Sequence, residues 1–336
     1  MTRHDAAHQV MTTDDETAFD GDLLRQLGAD LSDRLLAAGI DPGIASDGNS
    51  SSAFAVDGYI DLFDSLPSPI AYDHFPSAAR ERCDAIVSQG GEPALDAYLR
   101  LVLVRLIGGF DERAAARGLP SWLEGRTRAF LRDLLAELQK PPRRFLQPDQ
   151  DTFMKDFAVC RLKLWPCGAE LVDVASGLPR RVLLQGGARQ FARVLLQVGA
   201  ALGGFKPFFE THFDSRRAGA FSVEGYRDLY LTIARILQDR PDVKGMYSCS
   251  WWHDPVAIAI SPNLAFLNDL PLGGGARLFR MSASEQTVRV ATRLSRERTA
   301  RFRQGSYHPT RYVVVWGRRD LLAWAEAQSP AGIHSS

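Results

Sequence analysis

Leucines at 23, 24, 27, 31, 35 and 36 recur at helical spacing, and Gly39 follows as a stop. The first element is therefore expected to be an amphipathic helix. Residues 1–20 ahead of it are acidic and polar with few core-forming side chains, which reads as a disordered tail. Residues 42–53, rich in Gly, Ser and Asn, read as a loop. A second apolar helix is expected at about 93–107, closed by Gly108-Gly109. A third starts at Ser121 with Glu124 as capping-box partner and runs through Phe130, Leu131, Leu134 and Leu135 to Pro141-Pro142. Residues 21–145 thus read as a helical domain.

After Asp151 the period changes. Alternation predicts strands at 158–165, 169–175 and 180–184, with turns at Pro166-Cys167-Gly168 and Ser176-Gly177. A helix of 188–201 places Phe191, Val194, Leu195 and Val198 on one face. A strand at 208–214 follows, and Ser222 is the expected N-cap of a helix through Leu229, Ile233, Ile236 and Leu237. Val243–Trp251 reads as a strand and 254–275 as irregular. Extended segments are expected at 277–281 and 311–316, around a helix at 284–303, and residues 321–327 close as a short helix. The prediction is an α+β protein: an N-terminal helical domain, then a mixed β-sheet domain flanked by helices over 151–330.

With 45% apolar and 24% charged residues, the 336-residue chain has the composition of a globular protein with a substantial core. No apolar run of about 18 residues and no basic-then-apolar leader occurs, so no membrane partner is expected and a cytoplasmic location is inferred. The cysteines (Cys83, Cys160, Cys167, Cys249) are scattered and read as reduced thiols. A net charge of zero hides an asymmetry: residues 1–60 carry eleven acids against three arginines, whereas 277–319 carry eleven arginines against two glutamates. The basic end would suit an anionic ligand, the acidic end of the same chain, or a second subunit in a homo-oligomer. Neither charge nor motif points to nucleic acid.

The densest chemistry lies in the 208–214 strand. Side chains alternate faces, so Glu210, His212 and Asp214 would share one side, with Phe209, Thr211 and Phe213 on the other. Acid/base or ligand groups in a row, backed by aromatics, suit proton transfer or metal binding. No serine-hydrolase elbow, Walker loop, dinucleotide fingerprint or Cys-x-x-Cys occurs.

The element order over 158–252, with Gln185-Gly186-Gly187-Ala188-Arg189 opening a helix, resembles the core of the GNAT acyltransferase superfamily. Where that family runs Gln or Arg, two residues, Gly, one residue, Gly or Ala, this sequence places glycines one and two positions after Gln185. The resemblance implies acyl-CoA as cosubstrate, with its pyrophosphate at that helix N-terminus, and acyl transfer to a small-molecule amine. Glu210 or His212 would be the general base, Asp214 would orient the imidazole, and Tyr247 would act as general acid. Trp251, Trp252, His253 and Asp254 would complete the substrate pocket. A rival reading takes His212 and Asp214 with His308, or His253, as the two-His-one-carboxylate set of a non-haem Fe(II) oxygenase. In the spacing of His308 and Arg318, the C-terminal end resembles the 2-oxoglutarate-dependent oxygenases, where such an arginine holds the cosubstrate carboxylate. A non-catalytic ligand- or partner-binding protein is the third class.

Overall fold

The computed structural model describes residues 19–43, 52–66, 71–293 and 295–328. All but the last two residues of the expected tail at 1–20, most of the 42–53 loop and Leu294 lie outside them. The chain is α+β.

The first half is helical: α1 (Gly21–Ala37), α2 (Val56–Asp64), α3 (Ser77–Gly108), α4 (Phe110–Ala116), α5 (Ser121–Leu138) and α6 (Asp151–Cys160). Helix α3 is broken at Gly91, where φ is +73°, and resumes at Pro93, a good residue for a first turn because its lost N–H has no helical acceptor there. The expected capping box at Ser121 is not formed. Pro120 is the N-cap, and Glu124 instead pairs with Arg128 at 2.5 Å. These helices bury one core, with Leu99, Val102 and Leu103 of α3 against Leu131, Phe153 and Phe157.

Among the described residues six strands follow: β1 (Leu164–Cys167), β2 (Glu170–Asp173), β3 (Phe209–Phe213), β4 (Gly245–Ser250), β5 (Arg277–Arg280) and β6 (Tyr312–Gly317). They form one sheet in the order β1-β2-β3-β4-β6-β5. All neighbours are antiparallel except β3 and β4, which are parallel. Parallel neighbours need a crossover, supplied here by the helix Val223–Asp239.

The expected strand at 158–165 is corrected. Residues 158–160 close α6, and the chain turns at Leu162 (φ +56°) before β1. The strand expected at 180–184 is a 3-10 turn, Arg180–Leu183, in which only Val182 is buried. Next come α7 (Gly187–Val194), a π-helical continuation (Leu195–Ala200) and the crossover helix α8 (Val223–Asp239). The stretch expected to be irregular holds α9 (Pro255–Ile260) and α10 (Phe266–Gly273). The helix expected at 284–303 is two, α11 (Glu285–Arg293) and α12 (Arg296–Arg303), before the closing α13 (Arg318–Gln328).

On one face of the sheet Val172, Phe209, Met246, Val314 and Trp316 pack with Leu229, Ile233 and Leu237 of α8, Leu267 and Leu321. On the other, Tyr247, Phe279, Val313 and Val315 meet Leu178, Val182, Val194 and Val198. Toward β1 and β2 the helical half takes over, and Leu164 and Leu171 belong to its core. No helix among the described residues is long and apolar enough to cross a membrane. All four cysteines are free.

Candidate active site

Pairing register places Asp173 of β2, Glu210 of β3 and Tyr247 of β4 in one rung across the sheet. With the two-residue period, His212 follows on the same face. Glu210 Oε2 accepts from the Tyr247 hydroxyl at 2.5 Å and from Ser176 Oγ at 2.8 Å. The Ser176 and Tyr247 oxygens are themselves 2.8 Å apart, and the Gly177 carbonyl lies 3.1 Å from the tyrosine oxygen. Burial, and then the carboxylate, push the Tyr247 pKa up, so this hydroxyl keeps its proton and acts as a donor.

His212 Nε2 lies 3.9 Å from Glu210 Oε2, buried and without a hydrogen-bond partner. Its ring meets Tyr72 of the helical half edge to face at 4.6 Å. The Tyr72 hydroxyl donates to Asp151 at 3.1 Å, and Lys155 Nζ bridges Asp151 and the Phe213 carbonyl at 2.5 Å each. Burial lowers the His212 pKa, with Glu210 opposing. The imidazole is therefore neutral near pH 7, and a carboxylate stands ready to stabilise its protonated form. Asp173 is pushed up to about 6 by burial, although its side chain accepts from the Ala175 amide at 2.8 Å.

The third member of the expected row is elsewhere. β3 ends at Phe213, and Asp214 turns away to cap the following 3-10 turn, Ser215–Ala220. Its carboxylate is buried against Arg216, 2.8 Å away, and not against His212. Arg216 also forks onto both oxygens of Asp156 of α6 at 2.7 Å. It holds Asp214 below the usual carboxylate range, although burial opposes.

The strands β3 and β4 pair at only three rungs, ending at Thr211 and Ser248. Past those rungs His212-Phe213 pair only with β2 and Cys249-Ser250 only with β6, so the seam between β3 and β4 is open there as a V. Beyond it Phe213 and Trp252 meet at 5.3 Å, and Phe221 touches both. A cleft of about 560 Å³ lies between α5 and the Ser215–Ala220 turn, lined by Phe130, Leu134, Arg216 and Arg217 among others. Arg217 Nη1 is buried there without a hydrogen-bond partner.

Other expected residues serve the fold. Gln185-Gly186-Gly187-Ala188-Arg189 lead into α7, which precedes the V instead of bridging it. The Gln185 amide is spent on Ser282, accepting from its N–H at 2.8 Å and donating to Oγ at 3.2 Å. His253 is fully buried, with Nδ1 2.8 Å from Asn268 Oδ1 and Nε2 3.0 Å from Ser248 Oγ. Because Asn268 Nδ2 donates to the His253 carbonyl at 3.1 Å, its oxygen faces Nδ1, which must carry the proton. Nε2 then accepts from Ser248. Asp254 caps α9 through Val256 N at 3.0 Å and accepts from Thr310 N at 3.2 Å. Trp251 lies under the Arg298 guanidinium at 4.6 Å.

The iron ligand set does not assemble. His212 packs on Tyr72, Asp214 on Arg216, His253 on Asn268, and His308 on Phe302 at 6.1 Å. Among the described residues no group of three or more His, Cys, Asp and Glu is placed to hold a metal ion. Arg318 donates to the Leu237 and Arg240 carbonyls at the end of α8.

The chain matches no protein-family model, curated protein or solved structure. Sequence reasoning missed Ser176, Asp173, Tyr72 and Lys155. Ser176 carried only a turn signal, while the others become neighbours of β3 through long-range packing.

Proposed function

We propose that the chain transfers an acyl group from acyl-CoA to an amine in the V between β3 and β4. The observation that carries the reading is the three-rung parallel pair in an otherwise antiparallel sheet, with His212 on the first residue past the opening. A parallel pair that splays leaves backbone amides and carbonyls free to receive an extended ligand such as a pantetheine arm. Donor phosphates would lie at the Ser215–Ala220 turn ahead of α8, where Arg217 lacks an acceptor, and not at Gln185–Arg189. A helix N-terminus favours such anions.

His212 Nε2, neutral and unpartnered, takes a proton from the substrate nitrogen as its lone pair attacks the thioester carbonyl, forming the amide and breaking the C–S bond. Glu210 stabilises the resulting imidazolium from 3.9 Å. Tyr247 and Ser176 fix the Glu210 carboxylate through two hydrogen bonds; Tyr247 can hydrogen-bond the departing thiolate, which takes its proton from the His212 imidazolium or from water.

The test is a panel of acyl-CoA donors, read by thermal shift and by thiol release with added amines. One donor is expected to raise Tm by a few degrees. His212→Ala should cut turnover by about 10²–10⁴-fold while the fold and donor-induced shift persist. If no donor shifts Tm or releases thiol, the acyl-transfer reading fails and a binding role takes its place.

A further inference from the structure

Helix α7 and its π-helical continuation turn their best apolar stripe away from the sheet they cover. Ala188, Phe191, Ala192, Leu195, Leu196 and Gly199 fall at i, i+3, i+4, i+7, i+8 and i+11, the spacing of one helical face. That face points outward, with Phe191 42%, Leu195 43% and Leu196 67% exposed, and Leu184 just before the helix 79% exposed. The inward side is Gln190, Val194 and Val198, which already close the core over Val313 and Val315. The outward leucines are therefore no part of that core.

Their surroundings are of one charge. Arg180, Arg181, Arg189 and Arg193 are exposed around the stripe, and no Asp or Glu occurs between Asp173 and Glu210. None of the four arginines forms an ion pair among the described residues; Arg193 lies over the Phe279 ring at 5.5 Å. We propose that this face seats on an anionic lipid surface, with the helix lying in the interface plane. Leu184, Phe191, Leu195 and Leu196 would enter the acyl region, and the arginines would sit among the phosphates. Residues 187–200 span about 21 Å, short of the ~30 Å needed to cross, so the contact is peripheral. A bilayer fits better than a protein partner because the stripe offers no hydrogen-bonding side chain, while flexible arginines beside leucines match phosphates above acyl chains. The inference stands apart from the acyl-transfer reading.

The experiment is co-sedimentation of the full chain with sucrose-loaded vesicles of phosphatidylcholine, with and without phosphatidylglycerol. The wild type is expected to pellet with the anionic vesicles only, less so as salt rises. A chain carrying both Leu195→Asp and Leu196→Asp should lose binding by about tenfold or more with an unchanged circular dichroism spectrum. Arg189→Gln with Arg193→Gln should weaken binding and flatten its salt dependence. The proposal is overturned if the wild type stays in solution with anionic vesicles, or if the double aspartate chain pellets equally well. A wild-type dimer that the aspartates convert to monomer, without vesicle binding, would make the stripe a self-interface instead.

Discussion

His253 offers a sharp test of how the region beyond β4 is held. The ring is 1% exposed and neutral, donating from Nδ1 to Asn268 and accepting at Nε2 from Ser248. Burial drives its pKa from 6.5 down to about 4, with the Asn268 contact opposing. As pH falls through 6.5 the unfolded chain takes up a proton that the folded chain refuses until about 4. This contribution to stability is therefore complete above pH 6.5 and lost as pH falls toward 4. At ~1.36 kcal/mol per tenfold change in proton affinity, the loss is about 3 kcal/mol. The perturbation is His253→Gln, whose amide can still hydrogen-bond but does not titrate. At pH 7 the variant should be less stable by about 1–3 kcal/mol, the cost of imperfectly paired Ser248 and Asn268. Between pH 7 and 4.5 the gap should close or reverse, because only the wild type carries the His253 penalty. Asp156 and Asp173, both pushed up to about 6, titrate in the opposite sense over the same window. They remain in both proteins and cancel in the difference. Urea unfolding followed by tryptophan fluorescence reads the right place, since the Trp252 ring is 6.4 Å from the imidazole. A gap that stays constant from pH 7 to 4.5 would refute the neutral, desolvated imidazole.

Three further outcomes are expected. Gly225→Ala would bring a Cβ to 1.9 Å from the Ala220 carbonyl oxygen, forcing the start of α8 off its cap and lowering stability by about 2–3 kcal/mol in thermal melts; an unchanged Tm would contradict the packing of that turn. Arg216→Met strands the buried carboxylates of Asp156 and Asp214, a loss of about 3 kcal/mol after allowance for the partly exposed guanidinium, and adding Asp156→Asn should recover part of it in a double-mutant cycle. Tyr247→Phe removes the 2.5 Å donor to Glu210 at a cost of about 1–2 kcal/mol by urea unfolding.

Much of the fold is legible where one face of an element is wet. Helices α1, α5 and α8 show the helical period, and Ser222 caps α8 as its side chain suggests, accepting from Gly225 N at 3.1 Å. Helix α6 escaped because Phe153 to Cys160 are all buried, Lys155 and Asp156 included, and a helix with no wet face has no polar-apolar period to read. The stripe on α7 misled for a related reason. Phe191 and Leu195 looked like core, but the fold buries Val194 and Val198 and leaves those two in solvent. In the candidate site, Glu210 and His212 share a face because a two-residue period is a local property. Asp214 was lost to a strand end that depends on Arg216, which answers to Asp156 in a different layer. Tyr72 and Asp173 had no local signature at all.

The bond network around His212 has a practical corollary for anyone dissecting the chain. The imidazole rests on a tyrosine from the helical half, the end of β3 hangs from Lys155 on α6, and Leu164 and Leu171 are roofed by helices. Cutting at residue 151 and keeping the sheet would remove Tyr72 from the ring and bare two strand leucines to water. The helical half is thus a wall of the candidate site, and its loss would register at His212 before it registered as a missing module.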